Sequence, residues 1–301
     1  MIMSHAINVD HKVSEKFRFF NNLEIISDYN IGINYHKIFI FKEITEENEL
    51  LQMFALRYFV YRYVNFIKPS ECQLDIDCFD FYSTFLGAFE VIGGTKRLIG
   101  TIRIISGDEK SKYAGKIKMI AHNSYKNKLS NILKRPTLFP IAETFNIQAE
   151  YFASFCVNRN NFLRNNCKPF EISRLAVLPE YWGSEARIMV GLHDLIILDS
   201  WKSNPKKNIY IIATHPNTRR VYERLGFEII PGTNEQLYKN INQPAVAMVM
   251  NLQNYLNTTN PYSERCKSLF KSYLEKGSFV KIKLLKDNTY REEFHMQSFS
   301  I

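Results

Sequence analysis

The sequence predicts an α/β domain built on a mixed, mostly antiparallel sheet flanked by helices, and two observations predict it. Ser83 to Val91 and Leu98 to Ile105 are β-branched and aromatic runs on either side of Gly93-Gly94-Thr95-Lys96, the pattern of a hairpin. Further runs then alternate with segments of helical period, giving strand, helix, strand, helix, strand.

In chain order, residues 1–35 carry no clear period and read as an N-terminal extension. Lys37 to Phe41 reads as a strand. Thr45-Glu46-Glu47 then opens a helix with a capping residue and first-turn carboxylates, running to about Phe66. Leu51, Phe54, Tyr58 and Tyr61 recur at three or four residues and predict its core stripe, with Arg57 and Arg62 off or beside it. After the hairpin, Gly107 to Pro136 is polar and rich in Lys and Asn, an irregular or helical insertion. Phe170 to Leu178 is a strand, Ser184 to about Lys202 a helix, and Asn208 to Thr214 a buried strand. Pro216 to Leu225 is a short helix stopped by Gly226, and Phe227 to Ile230 and Ala245 to Leu252 are the last two strands. The main domain is expected over 36–256, followed by a helical and charged C-terminal extension over 257–301.

Composition narrows the function classes. The 301 residues carry 39 basic and 30 acidic side chains, a balance of +9, with 46% hydrophobic residues. That suits a globular core and argues against disorder. With 12 Gly and 10 Pro, a collagen-like chain or a Gly-rich phosphate loop is not expected. No apolar run approaches the roughly 18 residues of a spanning helix, and Met1 to Arg18 lacks an apolar signal core, so a cytoplasmic protein is expected. Cys72, Cys78, Cys156, Cys167 and Cys266 include no C-x-x-C pair and read as reduced thiols, with no metal site. The basic residues are spread along the chain without a nucleic-acid signature.

Four polar clusters interrupt otherwise apolar elements: Arg57, Asp77-x-x-Asp80, Arg103, and Glu171 with Ser173 and Arg174. An unpaired charge inside such runs costs several kcal/mol, so these groups must find one another. Because side chains alternate along a strand, Glu171 and Arg174 share a face only if a bulge lies between them.

In order, Leu56-Arg57-Tyr58-Phe59-Val60-Tyr61, Asp77-Cys78-Phe79-Asp80, Gly100-Thr101-Ile102-Arg103 and Glu171-Ile172-Ser173-Arg174 resemble the motifs of the N-acyl amino acid synthase and autoinducer synthase group. These are acyltransferases of the Gcn5-related N-acetyltransferase fold. The resemblance spans about residues 37 to 255. Asn217 to Phe227 resembles the Asn and Tyr-bearing ending of that wider fold, in which the tyrosine, here Tyr222, often protonates the leaving thiolate.

The resemblance implies transfer of a fatty acyl group to the α-amine of an amino acid, with Glu171 as base and Tyr222 as acid. It also implies Arg57, Arg103 and Asn217 as substrate-binding residues, organised by Asp77, Asp80, Ser173 and Arg174. Coenzyme A enzymes of the fold usually carry a Gly-rich basic turn that cradles pyrophosphate. Here Gly183 is retained, Trp182 replaces the basic residue, and Glu180 and Glu185 flank the anion position. An acyl chain on the phosphopantetheine of an acyl carrier protein is therefore expected as donor ahead of acyl-coenzyme A, with no bound cofactor. The acidic carrier would meet candidates such as Arg187, Lys202, Lys206, Lys207, Arg219 and Arg220. The homoserine-lactone makers carry a Trp shortly after the long helix, where this chain has Phe66-Ile67, which favours an open-chain amino acid. An acyl-homoserine lactone synthase, a coenzyme A-dependent acetyltransferase and a non-catalytic binding module on the same fold are the competing readings.

Overall fold

Strand pairing brings segments from the first thirty and the last thirty or so positions of the sequence into the same sheet as its middle. The computed structural model describes residues 24–30, 36–92, 95–106, 110–125, 129–133, 139–147, 151, 169–183, 187–203, 209–238, 241–265, 267–268, 280–286 and 289–295. Its strands are β1 (Glu24–Asn30), β2 (His36–Glu43), β3 (Ser83–Ile92), β4 (Thr95–Ile105), β5 (Pro169–Val177), β6 (Ile209–Thr214), β7 (Glu228–Ile229), β8 (Gln236–Tyr238), β9 (Gln243–Asn251), β10 (Val280–Lys286) and β11 (Thr289–His295). They lie in the order β11-β10-β1-β2-β3-β4-β5-β6-β9-β7, and β8 also pairs with β9. Among the described strands, only β1 with β10 and β5 with β6 run parallel. The sheet is therefore mixed and mostly antiparallel, as the sequence predicts.

Helices cover both faces. They are α1 (Glu47–Tyr63), α2 (Ala114–Ser124), α3 (Leu129–Ile132), α4 (Pro140–Phe145), α5 (Ile188–Ser203), α6 (Arg219–Arg224) and α7 (Leu252–Leu256). On β4, odd and even positions face opposite ways. A Cβ at Gly100 would lie 2.9 Å from Ile188, so that face meets α5. Arg103, on the other face, reaches groups beside α1. Phe54 of α1 meets Phe85 edge-on at 6.0 Å, and both are fully buried. A second apolar cluster, including Ile141, Phe145, Ile211 and Val249, seats α4 over β6 and β9.

Several local expectations shift. The cap of α1 is Glu46, without a side-chain bond, while the Thr45 hydroxyl donates to the Glu46 carboxylate at 3.1 Å. The helix ends at Tyr63 rather than Phe66. Its buried face holds Leu50, Met53, Phe54, Leu56, Arg57, Val60 and Tyr61. Leu51 is exposed and Arg57 central, because apolar residues surround this helix and the three-or-four spacing fits more than one stripe. The insertion after β4 contains α2 and α3. In the tail read as a helical and charged extension, Val280–Lys286 forms β10, paired with β1 in the stretch read as the N-terminal extension. Gly226, with φ of 91°, ends α6 as expected. Gly93-Gly94, Ser184 to Ala186 and Cys156, Cys167 and Cys266 lie outside the described residues.

Gly191 of α5 separates two opposing effects. Alanine there would favour the helix by about 1 kcal/mol. Its Cβ, however, would sit 2.3 Å from the Phe41 ring, inside a packed core where overpacking costs about 1–3 kcal/mol. Gly191→Ala is expected to lower the urea midpoint; a raised midpoint would show that Phe41 yields without cost.

Candidate active site

The spacing Asp77-x-x-Asp80 is a capping box. Asp77 precedes a short 3-10 helix, Cys78–Tyr82, and its carboxylate accepts from the Phe79 N–H at 2.9 Å. Asp80 reaches back to accept from the Asp77 N–H at 2.8 Å. Two orphan donors are thereby satisfied, and the remaining carboxylate oxygens turn toward arginines.

Arg57 of α1 donates to Asp75 at 2.9 Å and to Asp80 at 2.8 Å. Arg103 of β4 donates to Asp77 at 2.6 Å, to Asp80 at 2.9 Å and to the Ser173 hydroxyl at 3.0 Å. Arg174 of β5 donates to Asp77 at 3.1 Å, and its Nε pairs with Asp75 at 3.4 Å without hydrogen-bond alignment. Three guanidiniums thus meet three carboxylates. The third acid is Asp75 rather than Glu171, and its only trace in the sequence is the alternation Leu74-Asp75-Ile76-Asp77. Burial alone would raise the Asp75 and Asp77 carboxyls, yet the surrounding arginines hold both below the ordinary range. Burial works against the charge of Arg57 and Arg103 too, and their aspartate partners overcome it.

The anticipated bulge is present in this strand, starting at Arg174 itself, after regular pairing from Glu171 to Ser173. Arg103 pairs with Ser173 and Thr101 with Ala176, so Arg174 and Leu175 together oppose the single residue Ile102. Arg174 takes a left-handed backbone, φ 54°, which a non-glycine residue adopts only under strong constraint. The bulge turns Arg174 onto the face of Asp75 and Asp77. Parallel pairing of β5 with β6 extends only to Ile172 and Ile212. Beyond it the strands carry the walls of a cavity of about 290 Å³.

The cavity brings together Glu171, Tyr222, Arg103, Asp77, Ser173 and Arg174. Glu171 is 1% exposed and accepts from the Ile141 N–H at 3.0 Å. Burial pushes its carboxyl up to about 8, against the opposing pull of that N–H and of Arg103. Tyr222 packs edge-on against Phe227 at 5.8 Å, and burial raises its phenol to about 12. Three expected residues stay outside the lining, one of them Asp80, which is buried between Arg57 and Arg103. Arg57 is fully buried on its aspartates, and Asn217 is exposed beyond β6. Conversely, Tyr61, Thr214, His215 and Tyr238 line the cavity. His215 stands just past the end of β6, a position a strand-end reading can flag, whereas Tyr238 arrives from β8 with no sequence signal.

The turn after β5 is formed by a 3-10 helix, Pro179–Tyr181, and by Gly183 with φ of 65°. Trp182 donates through Nε1 to the Val177 carbonyl at 2.7 Å. Glu180 is bridged by Arg97 at 2.6 Å, which offsets one of the two charges expected to repel a pyrophosphate. Glu185 lies outside the described residues. Among the carrier-facing candidates, Arg187 and Arg220 are exposed, Arg219 pairs with Glu223 at 2.6 Å, Lys202 lies in α5, and Lys206 and Lys207 are outside the described residues.

A family model described as N-acyl amino acid synthase FeeM matches residues 150–251. No curated protein matches the sequence. Among solved structures, the chain is similar to FeeM, an N-acyl amino acid synthase from uncultured soil microbes, at 16% identity and a TM-score of 0.46, over 71% of this chain and 89% of that one. It is also similar to BjaI, a CoA-dependent acyl-homoserine lactone synthase, at 13% and 0.44, over 88% and 96%. A putative N-acetyltransferase from Lactobacillus plantarum follows at 14% and 0.37, over 71% and 97%. The family match bears out the resemblance read from the motifs over the stretch holding Glu171 to Arg174 and Tyr222, and it supports an N-acyltransferase. No helix of the described residues is long and apolar enough to cross a membrane.

Removing one acid from the charge cluster leaves an arginine buried and uncompensated. Asp80→Ala is therefore expected to cost about 3–5 kcal/mol in denaturant unfolding, and a loss under 1 kcal/mol would mean the cluster is wetter than its burial implies. Glu171 acts in the opposite sense. Its folded carboxyl, near 8, lies above the unfolded value of 4.5, so its contribution is fully present below about pH 4.5 and is lost as pH rises toward 8. Glu171→Gln should gain stability relative to wild type across that window, read as a widening difference in melting temperature; parallel curves would count against a neutral Glu171.

Proposed function

We propose that the chain is an acyltransferase that moves a fatty acyl group from an acyl carrier protein thioester to the α-amine of an amino acid, forming a long-chain N-acyl amino acid. The observation that carries this reading is a single uncompensated carboxyl, Glu171, at a cavity that Tyr222 also lines. The acceptor amine attacks the thioester carbon, and Glu171, when ionised, takes the amine proton. A backbone N–H of the Arg174–Leu175 bulge stabilises the tetrahedral oxyanion. The C–S bond then breaks, and Tyr222, whose raised phenol stays protonated at neutral pH, returns a proton to the thiolate.

Arg103 and Arg174 reach the cavity and orient the acceptor carboxylate, while Asp77, Asp80 and Ser173 hold them. Arg57 acts at a distance, by fixing Asp75 and Asp80. The synthase resemblance and the basic surplus favour the acidic carrier as partner. One observation favours a coenzyme A donor instead: the Arg97 bridge that offsets Glu180. Thermal stabilisation by acyl carrier protein but not by acyl-coenzyme A separates the two.

Mass spectrometry of lipid extracts from expressing cells tests the reaction and reads acyl length and amino acid together. A new N-acyl amino acid is expected with wild type and not with Glu171→Gln; indistinguishable extracts would sink the proposal. With purified protein, kcat should rise with pH toward about 8 as Glu171 ionises. Glu171→Gln should remove that rise and lower kcat about 10²-fold or more.

A further inference from the structure

Strand β8 is three residues long, and alternation along it turns Leu237 outward, 55% exposed, and Tyr238 inward. The Tyr238 ring packs against the apolar cluster that includes Ile141 of α4 and Ala245 of β9. The Ile241 N–H returns to the Tyr238 carbonyl at 3.1 Å and closes the turn into β9. Backbone and ring are thereby held, while the hydroxyl has no hydrogen-bond partner among the described residues.

Tyr238 lines the same cavity as Glu171. Burial raises its phenol well above the ordinary tyrosine range, Glu171 raises it further, and Arg174 and Arg103 pull the other way. The phenol thus stays protonated at neutral pH and stands near the base without a hydrogen bond to it. Glu171 accepts from the Ile141 N–H through Oε2, and no described group bonds Oε1. Two oxygens, Oε1 of Glu171 and Oη of Tyr238, are left to a ligand.

A neutral α-amine that attacks a thioester carbon aims its lone pair at that carbon and has two N–H bonds to place. A carboxylate accepts one, and a hydroxyl oxygen, with lone pairs to spare, accepts the other. Holding both leaves the lone pair a single direction, which is the orientation that attack requires.

We infer that Tyr238 positions the acceptor, its hydroxyl oxygen accepting one amine N–H while Glu171 takes the proton of the other, and that this pair selects primary over N-substituted amines. The N–H bond at Glu171 breaks as the C–N bond forms, and the N–H at Tyr238 survives as the amide N–H of the product. A secondary amine has one N–H, which it must give to Glu171, and it would leave the Tyr238 hydroxyl unpaired against an alkyl group. This role rests on the acyl-transfer reading and deepens it.

Initial rates of the full chain test it, with the acyl donor that supports turnover, the amino acid identified in the lipid extracts and the N-methyl derivative of that amino acid. Wild type should prefer the primary amine about 10²-fold or more in kcat/KM. Tyr238→Phe keeps the ring and its packing; it should raise the acceptor KM, leave the donor KM unchanged and cut the preference about tenfold or more. The rise of kcat toward pH 8 should persist in this variant, because Glu171 remains. An unchanged preference in a variant that melts like wild type overturns the assignment. So does a rise in both KM values with a lowered melting temperature, which marks Tyr238 as a packing residue. Neither result touches acyl transfer itself, whereas absence of product from every amine offered to wild type removes that reading and this role together.

Discussion

Arg57, Arg103 and Arg174 come from a helix and two strands that meet only when the chain folds, and all three are neutralised by one short segment holding Asp75, Asp77 and Asp80. An isolated charge in that position costs several kcal/mol, so no arginine can be buried before the acids arrive. Much else follows from this requirement. The segment between α1 and β3 must cross the face of β4 and β5, and the capping box fixes its path while leaving the carboxylates aimed inward. Arg174 reaches Asp77 from β5 only through the bulge, so the same constraint that neutralises the arginines bends the strand where it leaves β6. The cavity is thus a consequence of charge balance as much as of apolar packing.

How much of this was legible in the sequence depended on whether a signal was local. The hairpin β3–β4, the helix α1 and the strands β5, β6 and β9 follow from periodicity and turn residues. The bulge was legible for a different reason: charged residues three apart in a buried strand cannot share a face without one. Asp75 was not, because a lone acid in a loop looks solvated until its arginines are placed around it. Leu51 misled, since α1 is apolar on both its inner and outer faces and spacing alone does not say which stripe is buried. β1 escaped notice because its partners β2 and β10 lie on either side of it, one of them near the far end of the chain. Tyr238 has the same character, arriving from β8 beside a carboxyl more than sixty positions earlier.

Within the site, the balance of charges decides what Glu171 can do. Had Glu171 been the third acid of the cluster, a guanidinium would have held its proton affinity low, and a carboxylate so stabilised is a poor base for an ammonium group. Asp75 takes that place, and Glu171 is buried accepting from one backbone N–H, with Arg103 and Arg174 near enough to pull on it but paired with the aspartates. Its affinity for a proton then rises toward the range in which an α-amine exchanges one, so transfer from amine to carboxyl costs less than it would to an ordinary carboxylate. The two groups of acids, one fully paired and one unpaired, sit a strand apart for opposite reasons. The paired acids hold the arginines to themselves, so Arg103 and Arg174 lower the Glu171 carboxyl less than burial raises it, and the base keeps its proton affinity.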